Sequence, residues 1–515
     1  MDHLRETNWP ELSARRVIAI RSQRDISANV SLAQLSLNGV SLSNVLFDSD
    51  GYTTESLSNV YNMLNTGIQS LYVDLYWNEK LKKFQLCPVE FENDTNLFAN
   101  GDIEQFDGYT CQYGLGFGDL ASQIQNYTAE SDTNLADNII ILILNLKYLD
   151  TNTSYSASLT GNWNDTLPQI LIDYFGESLY TQSNLERDRQ QYTNNTELPD
   201  GFPTLSNFLF KEEKRIIAII DSSYIPSNSS YNSSMDSHYT FKWSDLNGSS
   251  VSIDNTTEIL SSNNFLKKSQ QLWRFTYDNS LEEFTNSTVR NLTFNGYSPI
   301  LNHTLSNLSD ISTVFESSLW SWASGEPLTE AEARELYSNT SETAQMAFKC
   351  AAVNLEGQFH VSNCYEKKYV AYQNSSNHFQ WSLSKEKHSY FSSKEELDDD
   401  TTYTFTVPKT SLQQNSLKFY LNSVSVNESI WIDLNSIAVD NCWVSGGPYA
   451  SCPYQVVSSK RNFVEMLSIG STFSLLLIFI ISFLRLRKVP VRDNKKHWKK
   501  LLSQYADNDY EGVPS

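Results

Sequence analysis

Residues Met466 to Leu484 read MLSIGSTFSLLLIFIISFL, nineteen consecutive uncharged and mostly apolar residues. A helix that is apolar on every side has no face to offer water, and about twenty helical residues are needed to cross a hydrocarbon layer of roughly 30 Å. The run therefore predicts a transmembrane helix; the alternative, a buried core helix, usually stops at about ten to fourteen apolar residues. Arg485, Arg487, Lys488 and Arg492 follow at once, and Lys495, Lys496, Lys499 and Lys500 continue the basic character. By the positive-inside rule the tail 485–515 is expected in the cytoplasm and everything before the helix on the other side of the membrane, as in a single-pass type I protein. The lipid bilayer is thus the first expected partner, through Met466 to Leu484.

The 465 residues before the run are long enough for two or three domains. Formal net charge over the 515 residues is -22 although the tail is basic. The part before the helix is therefore strongly acidic and would repel phosphate backbones, so direct nucleic-acid binding is not expected. Six cysteines fall into three sequence-close pairs, Cys87 with Cys111, Cys350 with Cys364 and Cys442 with Cys452. Their even number fits disulfides in an oxidising lumen, with connectivity formally open, and no C-x-x-C spacing supports zinc.

Asn-x-Ser/Thr sequons stand at Asn29, Asn93, Asn126, Asn152, Asn164, Asn194, Asn228, Asn232, Asn247, Asn255, Asn286, Asn291, Asn302, Asn307, Asn339, Asn374 and Asn427, all before the apolar run. They predict a glycosylated ectodomain in the secretory pathway, with no signal to tell endoplasmic reticulum, vacuole or cell surface apart. The first residues, MDHLRETNWPELSARRVIAIRSQRD, hold only the short apolar stretch VIAI, where a signal peptide would show seven to fifteen apolar residues. Either a preceding segment is missing, or the C-terminal helix inserts the chain and the large domain stays cytosolic. The agreement of sequons, cysteines and basic tail makes the first the expectation.

Between about Arg15 and Ile225 apolar strands alternate with helical stretches, the pattern of α/β units. Helix 56–65 places Leu57, Val60, Tyr61 and Leu64 on one face, with Thr53 and Thr54 as cap candidates and Gly67 beyond its end. Strands are predicted at SLYVDLYW (70–77), at IIILILNL (139–146), apolar on both faces as in a buried parallel sheet, and at RIIAIID (215–221). From Pro226 to about Thr257 the chain is Ser- and Asn-rich and reads as a glycosylated surface excursion. After about Phe315 come short aromatic-rich β segments, interrupted by a helix opening at the capping box Thr329 to Glu332. The acidic run Glu395 to Asp400 reads as a solvated loop.

The segment from Leu32 to Glu92, with its approach at Gln34 to Gly39, the helix ending in NTGIQSLYVDLYW and the following FQLCPV, resembles the first half of the phosphatidylinositol-phospholipase-C-like barrel. Enzymes of that fold use two histidines as general base and acid, because proton transfer at a phosphoryl oxygen near neutral pH calls for groups with pKa near 7. Here VSLSN follows Gly39 and Cys87-Pro88 follows FQL, where His-Asp and His-Gly are expected. Apart from His3 no histidine precedes His238, so the strand-rich region is expected to be catalytically empty. Asp48, Asp50, Asp74, Glu90 and Glu92 are carboxylates that could gather at strand ends, with solvated loop positions as the simpler reading.

LWSWASGEP and CAAVNLEGQFHVSNC, residues 319–327 and 350–364, resemble the second half of a C-type-lectin-like domain. Calcium-dependent sugar binding there depends on Glu-Pro-Asn and Trp-Asn-Asp motifs, and this chain has Glu326-Pro327-Leu328 and Phe359-His360-Val361. A packing module is the expectation. SIWIDLNSIAVDNCWVSGGPYASCPYQ (429–455), the following RNFV, the terminal EGVPS, IRSQRDISANVSLAQL (20–35) and DGFPTLSNFLF (200–210) closely resemble the yeast family called maintenance of telomere capping protein six. That resemblance implies a single-pass type I membrane glycoprotein with a role in telomere capping and no assigned catalytic residues. Cys442 and Cys452 flank the turn-forming Gly446-Gly447-Pro448; Trp443, Tyr449 and Tyr454 are read either as a partner-binding or interfacial tip or as a stapled hairpin ending the ectodomain.

The fold class expected is α/β: a degenerate phospholipase-C-like, TIM-type barrel with glycosylated insertions (15–314), then a β-rich lectin-like domain (315–410), a disulfide-closed stalk (411–465), a transmembrane helix (466–484) and a basic cytoplasmic tail (485–515). No catalytic residue, cofactor or metal is assigned, and a protein partner of unknown identity is expected. The rival readings are a membrane-bound phosphodiesterase or hydrolase using barrel carboxylates, and a luminal or cell-surface module binding a protein or glycan.

Overall fold

The computed structural model describes residues 12–91, 101–106, 108–149, 166–192, 200–246, 249–252, 264–270, 273–337, 345–394, 402–454, 460–488 and 495–506. Glu92, the run Glu395 to Asp400, and Asn93, Asn152, Asn164, Asn194, Asn247, Asn255 and Asn339 lie outside the described residues. Met1–Tyr454 form one compact unit and Gln455–Ser515 a second.

Eight parallel strands build the centre of the first unit. In chain order they are β1 Gly39–Ser41, β2 Ser70–Asn78, β6 Ile140–Tyr148, β7 Ile216–Ser223, β8 Phe241–Lys242, β9 Ser249–Ser252, β10 Arg274–Tyr277 and β11 Ser298–Leu301, interleaved with a short strand β3 Lys83–Gln85 antiparallel to β2 and a ribbon of β4 Ile103–Phe106 with β5 Tyr109–Gln112. Each parallel strand pairs with the next except β8 with β9, and β11 returns to pair with β1. The sheet order therefore runs from β8 through β1 to β9, with the ring open between β8 and β9 among the described residues. This is a TIM-type barrel with one unpaired seam.

Two apolar layers hold it. In β2 the alternation sends Leu71, Val73 and Leu75 outward into a core shared with Leu57, Val60 and Leu64 of the helix Thr54–Asn65 and with Leu120 and Ile124 of the helix Phe117–Glu130. The other faces of β6 and β7 send Ile141, Ile143, Ile217 and Ile219 inward with Phe241, Phe275 and Ile300, all fully buried. Burying such a side chain contributes about 1.5–3 kcal/mol. A Cβ on Gly39 would come within 2.8 Å of Ser70 Cβ and 2.9 Å of Ile300 Cγ1, so glycine lets β1 lie close between its two neighbours. Thr53 caps the helix after β1, its side chain accepting the Ser56 amide, and Gly67 beyond its end has φ +92°.

The expected surface excursion 226–257 is corrected by this topology, because it contains barrel strands β8 and β9. Tyr231, within it, is buried with its ring 4.7 Å from Trp77 and 4.9 Å from Phe84. Strands of two and four residues leave too little alternation for a sequence pattern to register.

After the barrel, β12 Cys350–Val353 and β13 Phe359–Ser362 form one antiparallel sheet together with β17 Ile430–Asn435. A second sheet is made of β14 Ala371–Asn374, β15 Trp381–Leu383 and β16 Tyr403–Phe405. Residues assigned by sequence to a stalk thus supply β17 to the same sheet as β12. Trp443 is buried, edge-on to Trp322 at 4.7 Å, so it belongs to the core and not to an exposed tip. Tyr454 donates to Asp25 at 2.6 Å and accepts from Arg24, whereas Tyr449 is 96% exposed. The amides of Gly446 and Gly447, both at positive φ, donate to the Asp433 carboxylate at 2.7 and 2.8 Å and dock the turn onto β17. The helix Ala14–Ile26 ties these parts to the barrel: Gln23 Oε1 accepts the amides of Trp320 and Ser321, and Arg24 donates to the carbonyls of Asn134 and Asp137. Disulfides join Cys87 to Cys111, Cys350 to Cys364 and Cys442 to Cys452.

In the second unit one helix spans Lys460–Lys488 and another Lys495–Ala506. Among the described residues no helix is long and apolar enough to cross a membrane. The side chains described in the first of these helices are those of 468 and 471–485, part of the apolar run, and Phe473, Leu475, Leu476, Leu477, Ile478, Phe479, Ile480, Ile481, Phe483 and Leu484 are all exposed.

Candidate functional site

Sites on TIM-type barrels form at the C-terminal ends of the strands, and here those ends are polar. Inward positions on β2 place Tyr72, Asp74 and Tyr76 in succession above the apolar layer; β6 adds Asn145 and Lys147, and β7 adds Asp221 and Ser222. Asp74 accepts from Ser43 Oγ at 2.9 Å, from Asn145 Nδ2 at 2.6 Å and from Lys147 Nζ at 3.0 Å. Asn145 in turn accepts from Ser222, and Lys147 lies 3.3 Å from the Tyr76 hydroxyl. One network therefore joins the segment after β1 to β2, β6 and β7. Burial raises the pKa values of Tyr52 and Tyr76 above the ordinary phenol range, with Tyr76 and then Asp74 adding to it at Tyr52 and Asp74 at Tyr76; burial, then Asp221, does the same to Tyr72. These hydroxyls stay protonated donors. Asp221 accepts from Trp243 Nε1 at 2.6 Å and from Tyr72 at 3.4 Å.

On the opposite arc of the mouth, Asp278 follows β10 and His303 follows β11. His303 Nδ1 lies 2.5 Å from Asp278 Oδ2, both side chains buried. Asp278 also accepts the amides of Phe284, at 2.9 Å, and of Asn302. Burial raises its pKa against these hydrogen bonds and the His303 charge. Asn302 Oδ1 accepts from Asn44 Nδ2 at 2.9 Å, and Thr304 donates to Asp48, so the two arcs meet through the segment 42–48.

The expectation of a catalytically empty strand-rich region rested on the lack of histidine between His3 and His238, but the strands continue to Leu301, and a residue pair that could move a proton at the mouth follows the last two of them. Sequence reasoning missed it because Asp278 and His303 are far apart in the chain and follow strands of four residues. The available signal was a polar residue directly after each of RFTY and SPIL.

Of the five carboxylates singled out by sequence, Glu92 lies outside the described residues and the other four do not converge. Asp74 is engaged as described; Asp48 and Asp50 are exposed, and Glu90 pairs with Lys80. Among the described residues no group of three or more His, Cys, Asp or Glu is placed to hold a metal ion. Cys87, at the position where the barrel resemblance expects a histidine, is bonded to Cys111 on β5. Glu326 accepts the amides of Leu328 at 2.8 Å and Val361 at 3.2 Å, which uses the carboxylate to brace the turn, and burial raises its pKa.

Ten sequons are described: Asn29, Asn126, Asn228, Asn232, Asn286, Asn291, Asn307 and Asn427 are exposed, and Asn302 and Asn374 are half-buried and hydrogen-bonded. None of these ten is buried.

A family profile described as "MTC6 partial TIM-barrel domain" matches residues 10–321. Maintenance of telomere capping protein 6 from Lachancea thermotolerans is 33% identical over 98% of this chain and 96% of its own length, and that from Debaryomyces hansenii 30% identical over 99% and 96%. Among solved structures, a Ca2+-dependent phosphatidylinositol-specific phospholipase C from Streptomyces antibioticus is similar at TM-score 0.31 and 9% identity, covering 55% of this chain and 98% of its own. PLC21 from S. officinalis gives TM-score 0.35 and 13% identity over 68% and 44%. Likenesses so remote carry no conclusion about chemistry. The profile match and the near full-length relatives establish that this chain belongs to the maintenance of telomere capping protein 6 family.

Proposed function

We propose that the chain is a non-catalytic, membrane-anchored glycoprotein whose part in telomere capping, the role named for its relatives, is indirect and runs through a protein partner. The observation that carries the non-catalytic reading is the engagement of Asp74 by Ser43, Asn145 and Lys147. Three donors commit most of the roughly four lone-pair sites of that carboxylate to contacts within the protein. Membrane anchoring is supported by the helix Lys460–Lys488, whose exposed apolar side chains suit hydrocarbon and not water. A single-pass type I orientation in the secretory pathway, with Met1–Tyr454 in the lumen, is supported by three disulfides and by exposed sequons. The lectin-like stretch acts as a packing module in this reading.

A second reading, a phosphodiesterase, is favoured by one observation: His303 held by Asp278 at the barrel mouth. The test is phosphatidylinositol hydrolysis by the purified full-length chain in mixed micelles, run beside complementation of a capping-defective yeast strain with Asp74→Ala and His303→Ala variants. Absence of inositol-phosphate release and full complementation by expressed, folded variants supports the non-catalytic reading. Turnover that His303→Ala removes would replace it with the second.

A further inference from the structure

The helix Lys495–Ala506 reads KKHWKKLLSQYA and contains no acidic residue. At 100° per residue, Trp498, Leu501, Leu502 and Tyr505 fall at i, i+3, i+4 and i+7 and mark one stripe, while Lys496 and Lys500 fall opposite and Lys495 and Lys499 on its flank. Trp498 is 63% and Leu502 67% exposed. Between Arg485 and Ala506 eight Lys or Arg stand against one acidic residue, Asp493, in a chain whose net charge is -22. Only residues 489–494 separate this helix from the end of the apolar one, so its first residue lies within about 25 Å of Lys488.

We infer that Lys495–Ala506 lies flat on an anionic lipid surface, with Trp498, Leu501 and Leu502 entering the acyl boundary and the lysines on lipid phosphates and carboxylates. The inference rests on the membrane anchoring proposed above. A stripe of this width with lysines on its rim matches an interface that is apolar below and negatively charged above. Tethering raises the local concentration of that surface, so a helix too short to hold a membrane alone becomes a second contact. Anionic lipid is the occupant that the charge selects, since a neutral surface would leave the lysines unpaired.

The test uses the purified full-length chain mixed with phosphatidylcholine vesicles, or with vesicles holding about 20% phosphatidylserine, where the surface potential attracts basic segments. Flotation reports anchoring, and amide hydrogen exchange over 495–506 reports the helix. Exchange about tenfold slower in the anionic vesicles only is expected, with the difference abolished in K495Q/K496Q/K499Q/K500Q and protection lost in L501D/L502D. Equal exchange in the two vesicle types overturns the inference, whether fast in both, or slow in both because another part of the chain or a second copy covers the stripe. A chain that floats with both yet exchanges equally leaves the anchor standing and removes the surface helix. One that floats only with anionic vesicles removes the anchor and supports the helix; one that floats with neither removes both.

Discussion

Residues 140–146, IILILNL, and residues 475–481, LLLIFII, are close in composition and end in opposite surroundings. The first is strand β6, buried on both faces, with helices covering one side and the barrel interior the other. The second is part of a helix whose side chains are exposed all round. The difference lies in the backbone. A strand satisfies its amides only through neighbours, and β6 has β2 and β7 on its two edges, so burial and pairing come together. A helix satisfies its own amides and is free to meet an apolar solvent with every side chain. A run of apolar residues therefore says that water is excluded; the hydrogen-bonding mode says what excludes it.

The comparison can be broken most severely by placing a charge in each run. Ile143→Asp puts a carboxylate into the fully buried barrel interior, and the expected loss of about 4 kcal/mol or more removes the cooperative thermal transition followed by circular dichroism. Ile480→Asp should leave the transition of the first unit where it is. Equal effects would erase the distinction.

A smaller effect is expected from the cross-links that belong to the buried side alone. Replacing Cys350 and Cys364 together by Ser frees the loop joining β12 to the end of β13, and about 2–4 kcal/mol of stability should disappear in denaturant titration while partition into vesicles is unchanged. His303→Ala at the barrel mouth leaves the buried Asp278 carboxylate with its amide donors but without its side-chain partner, at a cost of about 1–3 kcal/mol in the same titration.

The smallest effect is a slope in pH. Asp236 is buried, accepts from the Tyr231 hydroxyl at 2.8 Å, and is pushed up by burial to about 6 from an ordinary 3.8. Between those values the folded chain holds a proton that the unfolded chain has lost, so this group makes stability fall as pH rises from 4 to 6 and remain lower above it. Asp236→Asn should flatten that part of the pH profile of Tm; a parallel profile would mean that Asp236 ionises freely in the folded chain.

The parts of the fold legible in sequence were those with long periodic or continuous patterns. Strands β2, β6 and β7 and the helix Thr54–Asn65 lie within one or two residues of their expected positions, because eight or nine apolar or alternating residues leave few other solutions. Strands β8 to β11, two to four residues each, were not separable from loops, and β9 is Ser-Ser-Val-Ser. Losing them hid both the return of the sheet to β1 and the Asp278–His303 pair at the barrel mouth. Trp443 misled for a different reason: an aromatic beside a cysteine near an apolar run suits a membrane interface, yet the chain reverses at Gly446-Gly447 and returns it to Trp322. Asp74 was identified as a carboxylate of interest, but its three donors come from β6 and from the segment after β1, contacts that only the sheet order reveals.

Glycosidase treatment of the full-length chain expressed in yeast, followed on a denaturing gel after alkaline extraction of membranes, tests the account most directly. The account predicts that the chain stays with the membranes and that removal of glycans from exposed positions such as Asn126, Asn228 and Asn307 shifts its mobility by a large step. A chain that the extraction releases, or one whose mobility the glycosidase leaves unchanged, would contradict an anchored lumenal barrel.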